Sequence, residues 1–124
     1  DVLFSKDGTV GKVALIDSEK YFVILSSLAI IRPENSIISS NYLKFVLQDR
    51  DVLNQAIELK TGVAIKRITL VNLKQLKIPL PPLDVQKQIV SRIEEEQKLI
   101  DANKKLIEIY QGKIKEKIDE VWGK

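Results

Sequence analysis

Apolar positions at the start of the chain come in two short runs that predict strands. Residues 2–4 (VLF) and 13–16 (VALI) are separated by the polar segment 5–12, which contains Asp7-Gly8. An Asp-Gly pair is typical of tight turns, because glycine accepts the positive φ that such turns require. The pattern therefore predicts two strands joined by a loop.

The next apolar stretch, residues 21–31, is rich in β-branched and aromatic side chains and is followed by Pro33. Proline cannot donate a hydrogen bond to a sheet ladder, so it ends a strand. The stretch predicts one or two buried strands.

An amphipathic helix is predicted from the N-cap residues of segment 39–41 (SSN) to the stop at Thr61-Gly62. A polar run at residues 49–51 predicts an interruption. The apolar residues that recur at helical spacing are Leu43, Val46, Leu47, Leu53 and Ile57.

Between this helix and the prolines at positions 79, 81 and 82, the pattern of apolar and polar residues changes over short distances. Residues 65–69 predict a strand, residues 70–76 a short helical turn, and residues 77–78 a final extended piece. Strands and helices alternate without a regular repeat, so the expected fold class is α+β: a small mixed domain over residues 1–83.

From Asp84 onward the pattern predicts one long helix over residues 84–124, with Asp84 as its N-cap. β-branched residues recur there every seven positions, which is typical of a supercoiled helix with a partner. Residues 84–121 would extend about 57 Å at the rise of an α-helix. The candidate pairing residues are Ile93, Ile100, Ile107, Tyr110, Ile114 and Val121.

The seam formed by these six residues is imperfect as a coiled coil. With the β-branched residues at position a of the heptad, position d carries Glu96, Asn103 and Lys117 besides Tyr110. A terminal helix packed across a larger body is the alternative. In both cases something else must cover the apolar side chains.

The amino-acid composition limits the catalytic and metal-binding chemistry that this chain can perform. The chain has no Cys and no His, which excludes thiol nucleophiles, disulfides and thiolate zinc sites, and removes the commonest acid/base group at neutral pH. Carboxylate pairs or a Ser-Lys dyad remain as catalytic options, but such residues are too common on surfaces to be recognised from one sequence, so we expect no catalytic site and no thiolate metal site. With neither a signal peptide pattern nor an apolar stretch long enough to cross a membrane, a cytoplasmic location is expected.

The excess positive charge lies in the first part of the chain. Residues 1–83 contain 11 basic and 8 acidic side chains, and residues 84–124 contain 9 of each, giving the net charge of +3. After Glu58 no acidic residue occurs before Asp84. A positive electrostatic potential of this kind attracts phosphate groups, although a solvated lysine-rich surface without a binding role gives the same sequence pattern.

Three segments resemble one family, the specificity subunit of type I restriction-modification enzymes. Residues 76–90 (LKIPLPPLDVQKQIV) are similar to the family's junction between a recognition domain and its spacer helix. Residues 1–12 (DVLFSKDGTVGK) resemble the family's DILFSKDGTIGK stretch, and residues 61–68 (TGVAIKRI) resemble the loop and strand before the junction. The resemblance implies part of one target-recognition domain followed by one spacer helix.

The family's function implies a non-catalytic role for this chain. Recognition domains of the family read split sites in double-stranded DNA, and paired antiparallel helices set the separation of the two halves. The partners implied are DNA, the methyltransferase (modification) and restriction subunits, and a second spacer helix or second copy pairing through residues 84–122.

Candidate DNA-binding residues lie beside glycines, where a close approach of the backbone is possible. Arg67 is the best candidate for base reading, because its planar fork pairs with guanine. Solvated side chains on plain turns remain the alternative. The full set is Lys6, Thr9, Lys12, Lys60, Lys66 and Arg67.

Two other functions remain open. The heptad pattern also fits an oligomerisation or scaffold module whose basic loops have no role. A fragment of a fused restriction-methylation enzyme would use the same recognition domain, with its methyltransferase motif elsewhere in the gene.

Overall fold

The computed structural model describes residues 1–8, 10–21, 23–58 and 67–123. The described part is α+β, as the sequence predicts: a small antiparallel sheet with short helices, then one long helix. The elements are β1 (Val2–Ser5), β2 (Val13–Leu15), β3 (Leu28–Ile31), α1 (Ser40–Gln48), α2 (Arg50–Glu58), α3 (Leu70–Lys74) and α4 (Leu83–Val121).

The chain divides into two compact units, Asp1–Val90 and Ser91–Lys124. The first unit contains the sheet, α1 to α3 and the first two turns of α4. The second unit is the remainder of α4 and the residues that follow it. The boundary between these two units lies within α4.

The sheet has the order β2-β1-β3, and both neighbours run antiparallel to β1. Phe4 lies opposite Val13 on one side and Ala29 on the other. The predicted strand pair around segment 5–12 is confirmed, and Gly8 has a φ of 70°, as an Asp-Gly turn requires.

The prediction for residues 21–31 is only partly correct. The strand there is β3, and before it Tyr21, Val23 and Leu25 are exposed. A segment rich in β-branched and aromatic residues forms a strand only where a neighbouring strand offers hydrogen bonds and another surface covers its side chains. Among the described residues, no strand lies beside segment 23–27, and residues 26–27 form a turn.

The core joins one face of the sheet to the apolar face of α1. Val2 and Phe4 of β1 are fully buried, and so is Ile68. Helical spacing brings four apolar positions of α1 onto the same side. The α1 residues buried there are Tyr42, Leu43, Val46 and Leu47.

Two short helices replace the single helix, interrupted as the polar run predicts. Ser39 caps α1, its Oγ accepting a hydrogen bond from the amide of Tyr42 at 3.2 Å. Asp49 ends α1 and begins α2, because its Oδ1 accepts from the amides of Asp51 at 2.9 Å and Val52 at 3.3 Å. The polar run is therefore a pair of caps.

Of the strand predicted for residues 65–69, residues 65 and 66 lie outside the described residues, and residues 67–69 do not form a strand. Arg67 forms only an isolated bridge with Asp7, and Thr69 caps α3, its Oγ1 accepting from the amide of Asn72 at 3.2 Å. The predicted helical turn over residues 70–76 is confirmed as α3.

The long helix α4 contains 39 residues, about 58 Å at the helical rise. It begins at Leu83, one residue before the predicted start, because the carbonyl of Pro82 already accepts from the amide of Gln86 at 3.0 Å. Asp84 thus lies in the first turn and is not the N-cap. Within the described residues, no helix is both long and apolar enough to cross a membrane.

Two glycines have opposite roles, and changing each to alanine should shift stability in opposite directions. Gly11 has a φ of 95°, and an added Cβ would lie 3.0 Å from Leu53 Cδ2. We expect Gly11→Ala to lower the free energy of unfolding by about 1–2 kcal/mol. Gly112 lies inside α4 with nothing within 4 Å of an added Cβ, so Gly112→Ala should stabilise the helix by about 1 kcal/mol. Thermal melts followed by circular dichroism would measure both, and shifts of the same sign would contradict the prediction.

Candidate nucleic-acid interface

The loop between β1 and β2, residues 5–12 and called the basic loop below, is closed by hydrogen bonds at its base. The amide of Ser5 donates to the carbonyl of Lys12, and the amide of Gly11 donates to the carbonyl of Ser5, both at 2.9 Å. The amide of Lys12 donates to Ser5 Oγ at 2.9 Å. The sheet therefore holds both ends of the basic loop in place.

The basic loop meets the segment at Arg67, which is distant in sequence. Asp7 and Arg67 form an antiparallel bridge, and the amide of Ile68 donates to the carbonyl of Lys6 at 2.6 Å. Ile68 is fully buried, so this contact is anchored in the core. Arg67 and the basic loop, which the sequence singled out separately, thus lie side by side on one surface.

The predicted DNA-binding residues have different positions on this surface. Lys12 is exposed, and the side chain of Arg67 is 65% exposed. Lys6 is buried, with 9% of its surface exposed, so its side chain is less accessible to a phosphate than that of Lys12. The other three, Thr9, Lys60 and Lys66, lie outside the described residues.

Asp7 is a functional candidate that the sequence reasoning missed. Its Oδ2 lies 4.0 Å from Arg67 Nε, and its Oδ1 accepts from the amide of Gly8 at 2.9 Å. An exposed pair at this distance contributes at most about 1 kcal/mol. The pair therefore contributes little to stability, and Asp7 mainly lowers the positive charge beside Arg67.

A second group of polar contacts holds residues 76–82, called the junction below, against the domain. Gln55 binds the backbone of Lys77 twice, donating to its carbonyl at 2.8 Å and accepting from its amide at 2.9 Å. The hydroxyl of Tyr42 donates to the carbonyl of Pro79 at 2.9 Å. Burial raises the pKa of Tyr42, which keeps its hydroxyl protonated as a donor.

Gln86, in the first turns of α4, is fully buried and makes three side-chain hydrogen bonds. Its Oε1 accepts from the amide of Ser39 at 2.9 Å, and its Nε2 donates to the carbonyls of Ile37 and Pro81, both at 2.8 Å. The sequence held one signal for it: Gln86 lies seven residues before Ile93, so the heptad repeat extends back to a buried position.

Beyond Val90, the apolar side chains of α4 are largely uncovered. Ile93 is half-buried, whereas the exposed fraction of the other predicted pairing residues is about half or more. These fractions are 47% for Ile100, 56% for Ile107, 59% for Tyr110, 61% for Ile114 and 79% for Val121. Exposed apolar stripes of this length are typical of surfaces that contact another helix or protein.

No cluster of metal-ligating side chains occurs among residues 1–8, 10–21, 23–58 and 67–123. The candidate site is instead a basic surface with backbone and side-chain donors. Such a surface can bind phosphate oxygens and base edges.

Comparison with known families places these features in context. Residues 1–111 match the family model described as the type I restriction modification DNA specificity domain. The chain belongs to this family. The specificity-domain match covers the basic loop, Arg67, the junction and most of α4, and it confirms the resemblance that the three sequence segments carry.

Curated relatives of this specificity domain are described as type I specificity subunits. The putative type I restriction enzyme MjaX specificity subunit of Methanocaldococcus jannaschii is 34% identical over 88% of this chain and 27% of its own length. The EcoBI specificity subunit of Escherichia coli is 28% identical over 77% of this chain and 20% of its own length. The chain thus spans about a quarter of the length of these relatives. No solved structure matches it significantly.

Proposed function

We propose that this chain is the DNA-reading part of a type I specificity subunit, with no catalytic chemistry of its own. Membership of the specificity-domain family supports the proposal, and the joining of the basic loop to Arg67 is the observation that carries it. The bound DNA is double-stranded. Methyl transfer and cleavage belong to separate modification and restriction subunits, so the chain itself needs no cofactor, and its location is the cytoplasm.

Recognition by this surface combines two kinds of contact. Lys12, at the closed end of the basic loop, binds a backbone phosphate and positions the domain on the duplex. Arg67 reads a base edge in the major groove, where its fork matches the two acceptors of guanine. Asp7 Oδ2, 4.0 Å from Arg67 Nε, partly offsets the charge of that guanidinium. Thr9, Lys60 and Lys66, which the sequence also predicts as DNA-binding residues, are further candidate contacts to DNA.

The helix α4 sets the spacing between two half-sites and docks the modification subunits. Its exposed seam pairs antiparallel with a second spacer helix or with a second copy of the chain, through residues 84–122. At about 58 Å, the helix spans about 17 base pairs of DNA, enough to separate two short half-sites.

Salt dependence of DNA binding tests the proposal. Replacing Lys12 and Arg67 with alanine should lower the magnitude of the slope of log K against log salt by about 0.9, because Lys12 neutralises one phosphate and each neutralised phosphate contributes about that much. A base contact made by Arg67 instead lowers affinity for the cognate site more than for other DNA. Binding of the assembled complex to its site, titrated at several salt concentrations, measures both effects.

The matched control removes the same two charges elsewhere on the domain. Lys20 and Arg50 are exposed, and their double replacement with alanine changes the net charge by the same amount. If both double variants bind DNA with the same slope and affinity, the basic loop and Arg67 do not read DNA. The scaffold function, in which α4 acts without touching DNA, predicts that outcome.

A further inference from the structure

The side-chain amide of Gln86 connects α4 to two other parts of the domain. Through Ser39 it binds the backbone at the N-cap of α1, and through Ile37 it binds the turn before that cap. Through Pro81 it binds the junction. All of these contacts lie within the unit Asp1–Val90.

The three hydrogen bonds fix the side chain in one orientation. A buried amide is tolerated only when its donors and acceptor are satisfied, and here both the amide nitrogen and the carbonyl oxygen are used. Leucine or methionine would fill the same space without these hydrogen bonds, whose strength falls steeply when the donor–acceptor angle departs from linear. The start of α4 is therefore held by directional hydrogen bonds as well as by packing.

Two neighbouring contacts also hold the start of α4 and the junction against the domain. Val90, one turn after Gln86, is buried in the domain core. Tyr42, from α1, holds the junction at Pro79 through its hydroxyl. Rotation of the first two turns of α4 about the helix axis would break the Gln86 bonds and move Val90 out of the core together.

We infer that Gln86 is a positioning residue that fixes the start of α4 to the recognition domain and thereby sets the half-site spacing the protein accepts. The inference rests on the proposed DNA-reading function. One added base pair moves a half-site by about 3.4 Å along the duplex and rotates it by about 34°. The protein can distinguish spacings that differ by so little only if the start of α4 cannot rotate freely relative to the recognition domain.

Spacing discrimination in the assembled complex tests this role. The probes are duplexes carrying the complex's own bipartite site with the spacer at its natural length, one base pair shorter or one longer. For Gln86→Met, which preserves volume and removes the three hydrogen bonds, we expect the preference for the natural spacing to fall about tenfold. Affinity for the natural spacing should change much less.

Val2→Ala is the matched control, because Val2 is fully buried in β1 and forms no part of the junction. It should lower the melting temperature while leaving the spacing preference unchanged. If Gln86→Met does not fold, Tyr42→Phe, which removes one hydrogen bond to the junction, should relax the preference by a smaller factor.

The outcomes separate the two proposals. An unchanged spacing preference in folded Gln86→Met, or in Tyr42→Phe where Gln86→Met does not fold, overturns the role of Gln86 while DNA reading stands. An equal relaxation in Val2→Ala also overturns it, because the effect would then be general destabilisation. A wild-type complex without any preference for a bipartite site contradicts the proposed function itself.

Discussion

Replacing Ile107 with aspartate is expected to prevent α4 from pairing with its partner helix. Ile107 lies near the middle of the seam and is 56% exposed in the single chain. Pairing would bury it, and a buried carboxylate without a partner is strongly unfavourable. We expect association to weaken about thirtyfold or more, corresponding to about 2 kcal/mol or more for a central apolar contact. Sedimentation equilibrium of the chain measures this, with a second copy standing in for a second spacer helix.

The chain contains a close control for this change. Ile109 is 47% exposed, lies on the same helix and differs from Ile107 by about 160° around the helix axis. Ile109→Asp costs the same helix propensity and adds the same charge. It should leave association nearly unchanged. Equal loss of association in both variants would show that the heptad does not define the pairing face.

The second large effect concerns the sheet that supports the basic loop. Phe4 is fully buried at the centre of β1, between Val13 and Ala29. Phe4→Ala should lower the free energy of unfolding by about 3–5 kcal/mol, because it removes apolar burial and leaves a cavity. Urea denaturation measures this decrease. DNA binding should disappear with the fold, since β1 leads directly into the basic loop.

Ile30 of β3 is the control for this core change. It is 38% exposed, and Ile30→Ala should cost about 1 kcal/mol or less. The urea midpoint also separates loss of DNA binding through unfolding from loss of binding contacts. Replacing Lys12 and Arg67 should weaken DNA binding without lowering the urea midpoint. A midpoint that falls equally in Phe4→Ala and Ile30→Ala would show that Phe4 is not part of the core.

Features set by neighbouring residues were predictable from the sequence. The β1–β2 pair follows from two apolar runs around Asp7-Gly8, and the break between α1 and α2 follows from capping by Asp49. The length of α4 follows from a heptad repeat without proline. In each case the deciding interaction joins residues close in sequence or repeats along one helix.

Features set by distant contacts were not predictable. Tyr21 and Val23 belong to a β-rich stretch, but a strand also needs a neighbour to pair with. The bridge between Asp7 and Arg67 depends on how the whole sheet folds. Gln86 looks like an ordinary polar residue of a charged helix, and only the three-dimensional fold shows that it is buried.

We propose that this chain reads one part of a split DNA site. Expressing the polypeptide that contains this chain together with its modification subunit, and mapping the methylated sites across the host genome, tests this function directly. We predict a bipartite motif, two short specific sequences separated by a fixed number of unspecified base pairs. Methylation at a continuous motif, or no site-specific methylation, would contradict the claim.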